Sequence, residues 1–381
     1  MDLRLTDEQH ARREAARRFA ADVIEPWAER IDREDTTPPS LQAALRASGY
    51  LGAALPTEWG GGGIDPVSHG LMTEEIGRVS SSVRSLLTVH DMGAQAITRF
   101  GTAEQKARWL PPLCAGEKII AFALSEPDVG SAAQTIQTRA VERGNTLLLT
   151  GVKRWITYGL VADLFLVFAQ CDGMPVALVV ERETAGLHIK PVTNVFGMRG
   201  AMLAELRFDG VAVSRDCQIG PTGAGITFVA SAALDHGRFS VAWGSTGIIQ
   251  ACLHACLGYV QQRRQGASRL KDYQLIRRQL ADMLVAHTAA RALCYRSACL
   301  RAQGDPRAVM ETSLAKYHAS AAAMRVATDA VHMHGANGCS EDYPVSRYLR
   351  DATVMGIVEG THEMHQLALA SYAFQRPYLL D

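Results

Sequence analysis

A chain of 381 residues with 48% apolar side chains has room for two or three domains with sizeable cores. Lysine plus arginine and aspartate plus glutamate balance at 39 each, so no long-range field draws the protein to nucleic acid or to an anionic membrane. The N-terminal MDLRLTDEQ carries acids where a secretory signal has a basic patch, VADLFLVFA is too short for a membrane span, and the eight cysteines include no CxxC pair; these features predict a cytoplasmic, reducing setting.

Thr6 with Gln9 three residues on is a capping-box signal, and helical spacing of apolar residues then runs to about Ile31, with Pro26 predicted to kink or divide the helix. A second helix is predicted over 40–48, the WGGGG run at 59–63 is loop, and Asp65 with Pro66 opens a third helix as N-cap and first helical residue. Thr102 with Gln105 repeats the capping signal. From Lys118 the texture changes to short β-branched or aromatic runs, IIAFAL, NTLLLTG, DLFLVFA, PVALVV, LHIKPV and LAELRF, separated by turn residues. After the glycines of GPTGAG at 220–225, long helical segments are predicted at 225–264, 271–302, 306–333 and 361–373. Cys252 and Cys256 share a helix face and read as core thiols. The fold class expected is α+β and multidomain: an N-terminal α-helical domain (1–117), a central β-domain (118–222) and a C-terminal four-helix bundle (223–381). Neither GxGxxG nor GxxxxGK[ST] occurs, and helix-sheet-helix is not the alternation of a doubly wound nucleotide fold.

The stretch VMGIVEGTHEMHQLALA at 354–370 raises two chemistries. A zinc-type HExxH needs a histidine four residues after His362, where Gln366 stands; His365 is only three along, and His332 and His334 point to different sides of a helix. No metal is therefore expected. Glu359 follows an apolar run at a turn, where desolvation raises a carboxyl pKa and makes a better base; a solvated glutamate beside a helix start is the other reading. Thr361 reads as the N-cap of the last helix. LSEPDVGSAA at 124–133 places hydroxyls and free N–H groups after a strand, suited to a polar ring edge or a thioester arm, or simply to a capped turn. In GVKRWITYG at 151–159, Trp155 and Thr157 share one strand face, as for a flat heteroaromatic ligand or for a core tryptophan with an incidental threonine.

These three stretches, in this order and setting, resemble the acyl-CoA dehydrogenase family over nearly the whole chain. The resemblance implies an FAD flavoprotein with helical, β and helical-bundle domains, which oxidises acyl thioesters and passes electrons to an electron-transfer flavoprotein or oxygen. Glu359 matches the glutamate of an EGT motif, the base that takes the α-proton while a β-hydride passes to the flavin. An alternative base position, before an arginine in the first long C-terminal helix, is Gly237 here, in LDHGR. Ser125 and Thr157 match residues that hydrogen-bond the flavin ring, and Trp155 matches the tryptophan packed on it. Ser131 and Arg238 fall close to the thioester arm, with Ser131 also near the cofactor, and Thr361 matches a contact to its adenosine part. Arg263, Gln274, His332 and Gly335 match residues that meet the cofactor's phosphates from a neighbouring subunit, which implies a homodimer or homotetramer.

Two departures stand out. The usual Arg-x-x-Phe-Gly reads Arg263-Arg264-Gln265-Gly266-Ala267, so an aromatic platform for adenine is missing, weaker FAD retention is implied, and Gly266→Phe is expected to strengthen it. Ala132 stands where an aspartate is usual. SSSVRSLLTVHDMG at 80–93 and GRFSVAWGSTGIIQAC at 237–252 resemble the branch of the family that acts on small acids tethered to an acyl carrier protein in polyketide and peptide antibiotic pathways, making hydroxymalonyl- or aminomalonyl-type extender units. On such a substrate Glu359 could take a hydroxyl proton instead. An ordinary catabolic acyl-CoA dehydrogenase and a non-catalytic carrier-binding scaffold are the alternatives. For a carrier-protein substrate, Arg264, Arg269, Arg277 and Arg278 are expected around the channel mouth.

Overall fold

The computed structural model describes residues 4–375. Thr6 accepts from the Gln9 backbone and Gln9 returns the bond, so α1 (Asp7–Phe19) opens on its capping box. The chain widens to a π turn at Ala20–Ile24, and Pro26, which has no N–H to donate, sits in the 3-10 turn that divides α1 from α2 (Ala28–Glu34). After α3 (Pro39–Ala47) and the glycine loop, Asp65 accepts from the Val67 and Ser68 N–H groups and caps α4 (Pro66–Val79). α5 (Ser81–Phe100) and α6 (Ala103–Cys114) complete the first helical layer, α6 on the second capping box. Glu75 of α4 is fully buried and receives Arg13 and Arg17 of α1 at 2.8 Å each. Burial opposes its charge, but the bonds from Arg17 and Arg13 hold it below the usual carboxylate range and fasten α1 to α4.

Seven strands then form one mixed sheet: β1 (Ile120–Ala123), β2 (Arg139–Arg143), β3 (Thr146–Ile156), β4 (Leu164–Cys171), β5 (Met174–Glu181), β6 (Leu187–Pro191) and β7 (Ala204–Ser214), in the order β1-β4-β2-β3-β7-β6 with β5 paired to β4. β4 is apolar from Leu164 to Ala169 because both its faces are covered there, whereas β3 and β7 alternate. β1 lies parallel to β4, and the long antiparallel β3–β7 pair carries the far side of the sheet. β2 escapes the sequence reading because RAVER has only Ala140 to bury and no apolar run to detect.

The axis of the last layer is α7 (Ser231–Gln262), which packs against α4 and α5 as well as α8 (Gln274–Ala302) and α9 (Ala308–His334). A helix surrounded in this way needs small residues where neighbours approach: a Cβ at Gly70 of α4 would meet the Trp243 ring at 2.2 Å, and one at Gly247 would meet the Glu74 carbonyl oxygen at 2.5 Å. A hairpin, β8 (Arg264–Gln265) and β9 (Ser268–Arg269), joins α7 to α8. α10 (Val345–Met355) and α11 (His362–Gln375) follow. The described residues therefore give this layer five helices rather than four; α10 was hidden because it buries only Val345, Asp351, Ala352 and Met355. Cys252 and Cys256 are buried in its core. Among the described residues no helix is long and apolar enough to cross a membrane.

Candidate active site

Glu359 and Gly360, in the turn between α10 and α11, have φ of 58° and 101°, two left-handed residues in succession that reverse the chain and turn the Glu359 side chain back over α7. A Cβ at Gly237 would lie 2.6 Å from the Glu359 Oε2 and 2.8 Å from the Met92 Sδ, so the carboxylate rests over bare α7 backbone in the trough between α5 and α7. Glu359 and a side chain at 237 would compete for one space. The turn is held from behind: Arg238 Nε donates to the Glu359 carbonyl at 3.1 Å, and Lys316 Nζ of α9 donates to the Gly360 carbonyl at 2.6 Å. As a residue Glu359 is only partly covered, but its carboxylate is enclosed. Burial pushes that carboxyl up to about 7 against the opposing charges of Arg238, Lys316 and Arg84. Burial also brings the Lys316 ammonium down to about 8. A carboxyl poised near neutrality in an enclosed trough is suited to accept a proton from carbon.

Thr361 immediately precedes α11 and its carbonyl accepts the His365 N–H. His362 Nε2 pairs with Ser320 Oγ at 2.8 Å, and His365 is buried with its Nε2 unpartnered. His334 stacks on Tyr259 at 4.1 Å while His332 is exposed, so these histidines face different neighbours.

Ser125 lies on a second, adjoining structure. Its loop is pinned by a buried ion pair, Lys153 Nζ to Glu126 Oε1 at 2.8 Å, with Lys153 also donating to the Leu124 carbonyl and Glu126 accepting the Gln137 and Thr138 N–H groups. The Arg154 N–H donates to the Ser125 carbonyl, which sets the loop beside Trp155. Leu124 and Val129 share an apolar cluster with Met92 and Ala233, one turn before Gly237, so this loop stands at the same end of α7 as Glu359. The regular strand expected for 151–159 is corrected: the β3–β7 register shifts between Lys153 and Ile156, and Trp155 has φ of 65°. This bulge throws the indole out to 52% exposure, with the Arg154 guanidinium 5.1 Å from its ring, and Thr157 falls in the turn beyond the strand. Among the described residues neither the Ser125 nor the Thr157 hydroxyl bonds within the protein, so an exposed indole and two free hydroxyls stand together, a donor set that fits a flavin ring. Ser131 is exposed a few residues along the same loop.

The remaining residues gather elsewhere. Arg263 caps the far end of α7, 26 residues beyond Gly237 or about 39 Å along the helix. Gln274 opens α8 beside it, and His332 and Gly335 end α9 where His334 meets Tyr259 of α7. One chain thus keeps Arg263, Gln274, His332 and Gly335 apart from Ser125, Trp155, Thr157 and Glu359. Arg264, Arg269, Arg277 and Arg278 are exposed at that same far end, so within one chain they do not rim the mouth of the Glu359 trough. Gly266 has φ of 57° at the first of two central residues of the β8–β9 turn, a conformation that disfavours any side chain and counts against the gain expected from Gly266→Phe. Tyr273, 40% exposed, instead brings an aromatic ring to the hairpin, its hydroxyl donating to the Gln265 carbonyl.

Two cations escaped the sequence reading. Lys316 and Arg84 are buried on helices, and nothing local in ETSLAKYHA or SSVRSLL sets them apart from solvated basic residues. Their positions within the apolar pattern of α9 and α5 are the available signal.

Residues 6–117, 121–211 and 223–373 match the N-terminal, middle and C-terminal domains of acyl-CoA dehydrogenases. The chain is 37% identical to an acyl-CoA dehydrogenase of Bacillus subtilis, covering 97% of this chain and 99% of that one. Among solved structures, butyryl-CoA dehydrogenase from Megasphaera elsdenii superposes with a TM-score of 0.94 at 34% identity, covering 98% and 100% of the two chains. FkbI, for biosynthesis of the methoxymalonyl extender unit of the Fk520 polyketide, superposes with a TM-score of 0.87 at 32% identity, covering 96% and 99%. With its three domains in this order and a fold that matches throughout, the chain belongs to the acyl-CoA dehydrogenase family, FAD-dependent oxidoreductases that act on the CH–CH bond of acyl thioesters.

Proposed function

We propose that Glu359 is the base of this acyl thioester oxidation, and that the thioester arm is that of an acyl carrier protein carrying a small acid, as in extender-unit biosynthesis. The observation that carries the first part is the enclosed carboxylate, brought to about 7 over the bare backbone of Gly237. Bound FAD supplies the hydride acceptor. Glu359 takes the α-proton, the β-carbon gives up a hydride, and the two electrons of the broken C–H bond at the α-carbon become the new double bond. Ser125 and Thr157 would hold the flavin ring edge, Trp155 would pack against it, Ser131 and Arg238 would flank the arm, and Thr361 would meet the adenosine part. Arg238 does so while its Nε fixes the carbonyl of the base.

The distance along α7 supports a site completed by a second copy of the chain, with Arg263, Gln274, His332 and Gly335 of that copy meeting the cofactor's phosphates. The exposed Leu275, Leu284 and Val285 of α8 are apolar surface of the kind such an assembly covers. The likeness to FkbI favours the carrier-protein arm, and that to the B. subtilis acyl-CoA dehydrogenase favours CoA with a 2,3-enoyl-CoA product. Membership of an oxidoreductase family with this trough intact leaves the scaffold reading without support. The test is anaerobic flavin reduction by matched short acids on CoA and on carrier protein, in the absence of any terminal acceptor. A higher kcat/KM on the carrier protein is expected; equal values or a CoA preference would leave the catabolic reading ahead.

A further inference from the structure

The stretch that presents Trp155 and Thr157 ends on a residue that its turn does not favour. The Gly159 N–H donates to the Ile156 carbonyl at 3.0 Å, closing a four-residue turn in which Thr157 and Tyr158 are the central pair. Tyr158 has φ of 54° there, at the third position, where a left-handed residue is ordinarily glycine or asparagine. A bulky aromatic residue in that conformation is strained, and it persists only where its surroundings over-determine it. Trp155, three residues before, is left-handed as well.

Tyr158 is held at every polar atom. Its N–H donates to the Ala201 carbonyl at 2.8 Å, and its own carbonyl accepts the Val161 and Ala162 N–H groups at 3.1 and 2.9 Å. Its side chain is wholly buried, and its hydroxyl lies 3.1 Å from Thr37 Oγ1. Thr37 has one hydroxyl proton, which goes to the Gly200 carbonyl at 2.7 Å, so Tyr158 is the donor to Thr37. Burial pushes the Tyr158 phenol above its usual range and keeps that proton in place. Thr37 lies just before α3 in the N-terminal layer, and Gly200 lies in the loop between β6 and β7, where a Cβ would run into Ile31 of α2. The chain of hydroxyls from Tyr158 through Thr37 to Gly200 therefore ties the end of β3 to the helical layer and to the β6–β7 loop.

At the other end of the same stretch, Lys153 is fixed by its buried ion pair with Glu126. Trp155 and Thr157 thus stand between two anchors, one to the Ser125 loop and one to the N-terminal layer. We infer that Tyr158 is a positioning residue for the cofactor: with its hydroxyl docked on Thr37, it holds the left-handed turn that aims the Thr157 hydroxyl at the flavin ring and sets the Trp155 indole against it. This rests on Thr157 and Trp155 meeting the flavin, as proposed above. An asparagine would make the turn with less strain but is too short to reach Thr37, so the tyrosine exchanges local comfort for a contact between domains. The N-terminal layer also supplies α5, one wall of the Glu359 trough, and the same contact therefore sets the flavin ring relative to the proposed base.

The test compares Thr37→Val, Tyr158→Phe, the double variant and Thr157→Val for FAD dissociation constant, flavin midpoint potential and melting temperature. Thr37→Val removes the acceptor without touching any residue placed at the flavin, and Tyr158→Phe keeps the ring. Each is expected to weaken FAD binding by about 3- to 10-fold, the scale of one buried hydrogen bond, and the double variant to be no worse than either single one. A Thr157 hydroxyl that no longer meets the ring leaves the electron-rich reduced flavin short of a donor. The potential should therefore become more negative in these variants, in the same direction as in Thr157→Val. Thr37→Val alone decides the matter should Tyr158→Phe not fold. A lower melting temperature with wild-type FAD affinity and potential in Thr37→Val and Tyr158→Phe, while Thr157→Val changes both, overturns the positioning role and leaves Thr157 at the flavin. A Thr157→Val variant that changes neither affinity nor potential overturns the placement of Thr157 at the flavin, and the role of Tyr158 with it.

Discussion

Glu359, the proposed base, sits where it does because of what its neighbours lack. Gly237 has no side chain to fill the trough, and the residues that touch the Glu359–Gly360 turn, Arg238 and Lys316, grip its carbonyls rather than its carboxylate. The carboxylate is thereby placed without being neutralised. Its pKa of about 7 lies above that of an exposed glutamate, so the ionised base is scarce at pH 6 and dominant at pH 8, and flavin reduction should rise with pH through that interval. Stability runs the other way: the contribution of the protonated carboxyl is complete below the unfolded-state value and is lost as pH rises through about 7. Lys316 is one of the charges that oppose the upward shift. Lys316→Met should therefore move the midpoint of the reduction rate to higher pH, and a midpoint that stays put with a uniformly lower rate would make Lys316 merely structural. Glu359, the proposed base, was legible in the sequence as a candidate at the end of an apolar run followed by Glu-Gly-Thr, whereas the burial of Lys316 and Arg84 was not. A buried lysine is distinguished from a solvated one by the neighbours that other elements bring, and those neighbours lie 44 residues away for Lys316 and 156 for Arg84.

At the scale of elements, the capping boxes at Thr6 and Thr102, the Asp65 cap and the break at Pro26 were all readable because each is a local bargain between side chain and backbone within a few residues. β2 and α10 were not, since each buries few side chains and draws its place from partners, β3 for one and α9 for the other. The bulge at Trp155 belongs to the same class: the strand pattern of GVKRWITYG is intact, and only pairing with β7 forces the register shift that exposes the indole. The β8–β9 turn makes a direct prediction. Gly266 at φ of 57° is not a vacancy awaiting an aromatic ring, so Gly266→Phe should destabilise the hairpin by about 1 kcal/mol and should not tighten FAD binding. Thermal melting with and without added FAD checks this; a higher FAD affinity in the variant would show that the ring is accommodated and stacks.

Across the whole molecule, α7 is the ruler. Its N-terminal half carries Gly237, Arg238 and Ser240 into the trough, and its C-terminal end carries Arg263, about 39 Å away, to a surface that the trough of the same chain cannot use. If two copies complete each flavin site, subunits with different lesions should rescue one another. Arg263→Ala should weaken FAD retention and Glu359→Gln should remove the base, yet in a mixed oligomer one kind of site pairs an intact Glu359 with an intact Arg263. Unfolding and refolding the two variants together at limiting FAD should give activity well above the sum of the two alone, whereas simple additivity would place each cofactor within a single chain.

If Glu359 removes the α-proton, replacing its carboxylate by an amide of the same shape isolates that act. Rapid-mixing anaerobic reduction of FAD-loaded Glu359→Gln by its best acyl thioester should be slower than wild type by about 10²–10⁴-fold or more, with FAD content and thioester binding retained. Reduction at a near-normal rate would show that another group takes the proton and that Glu359 is not the base.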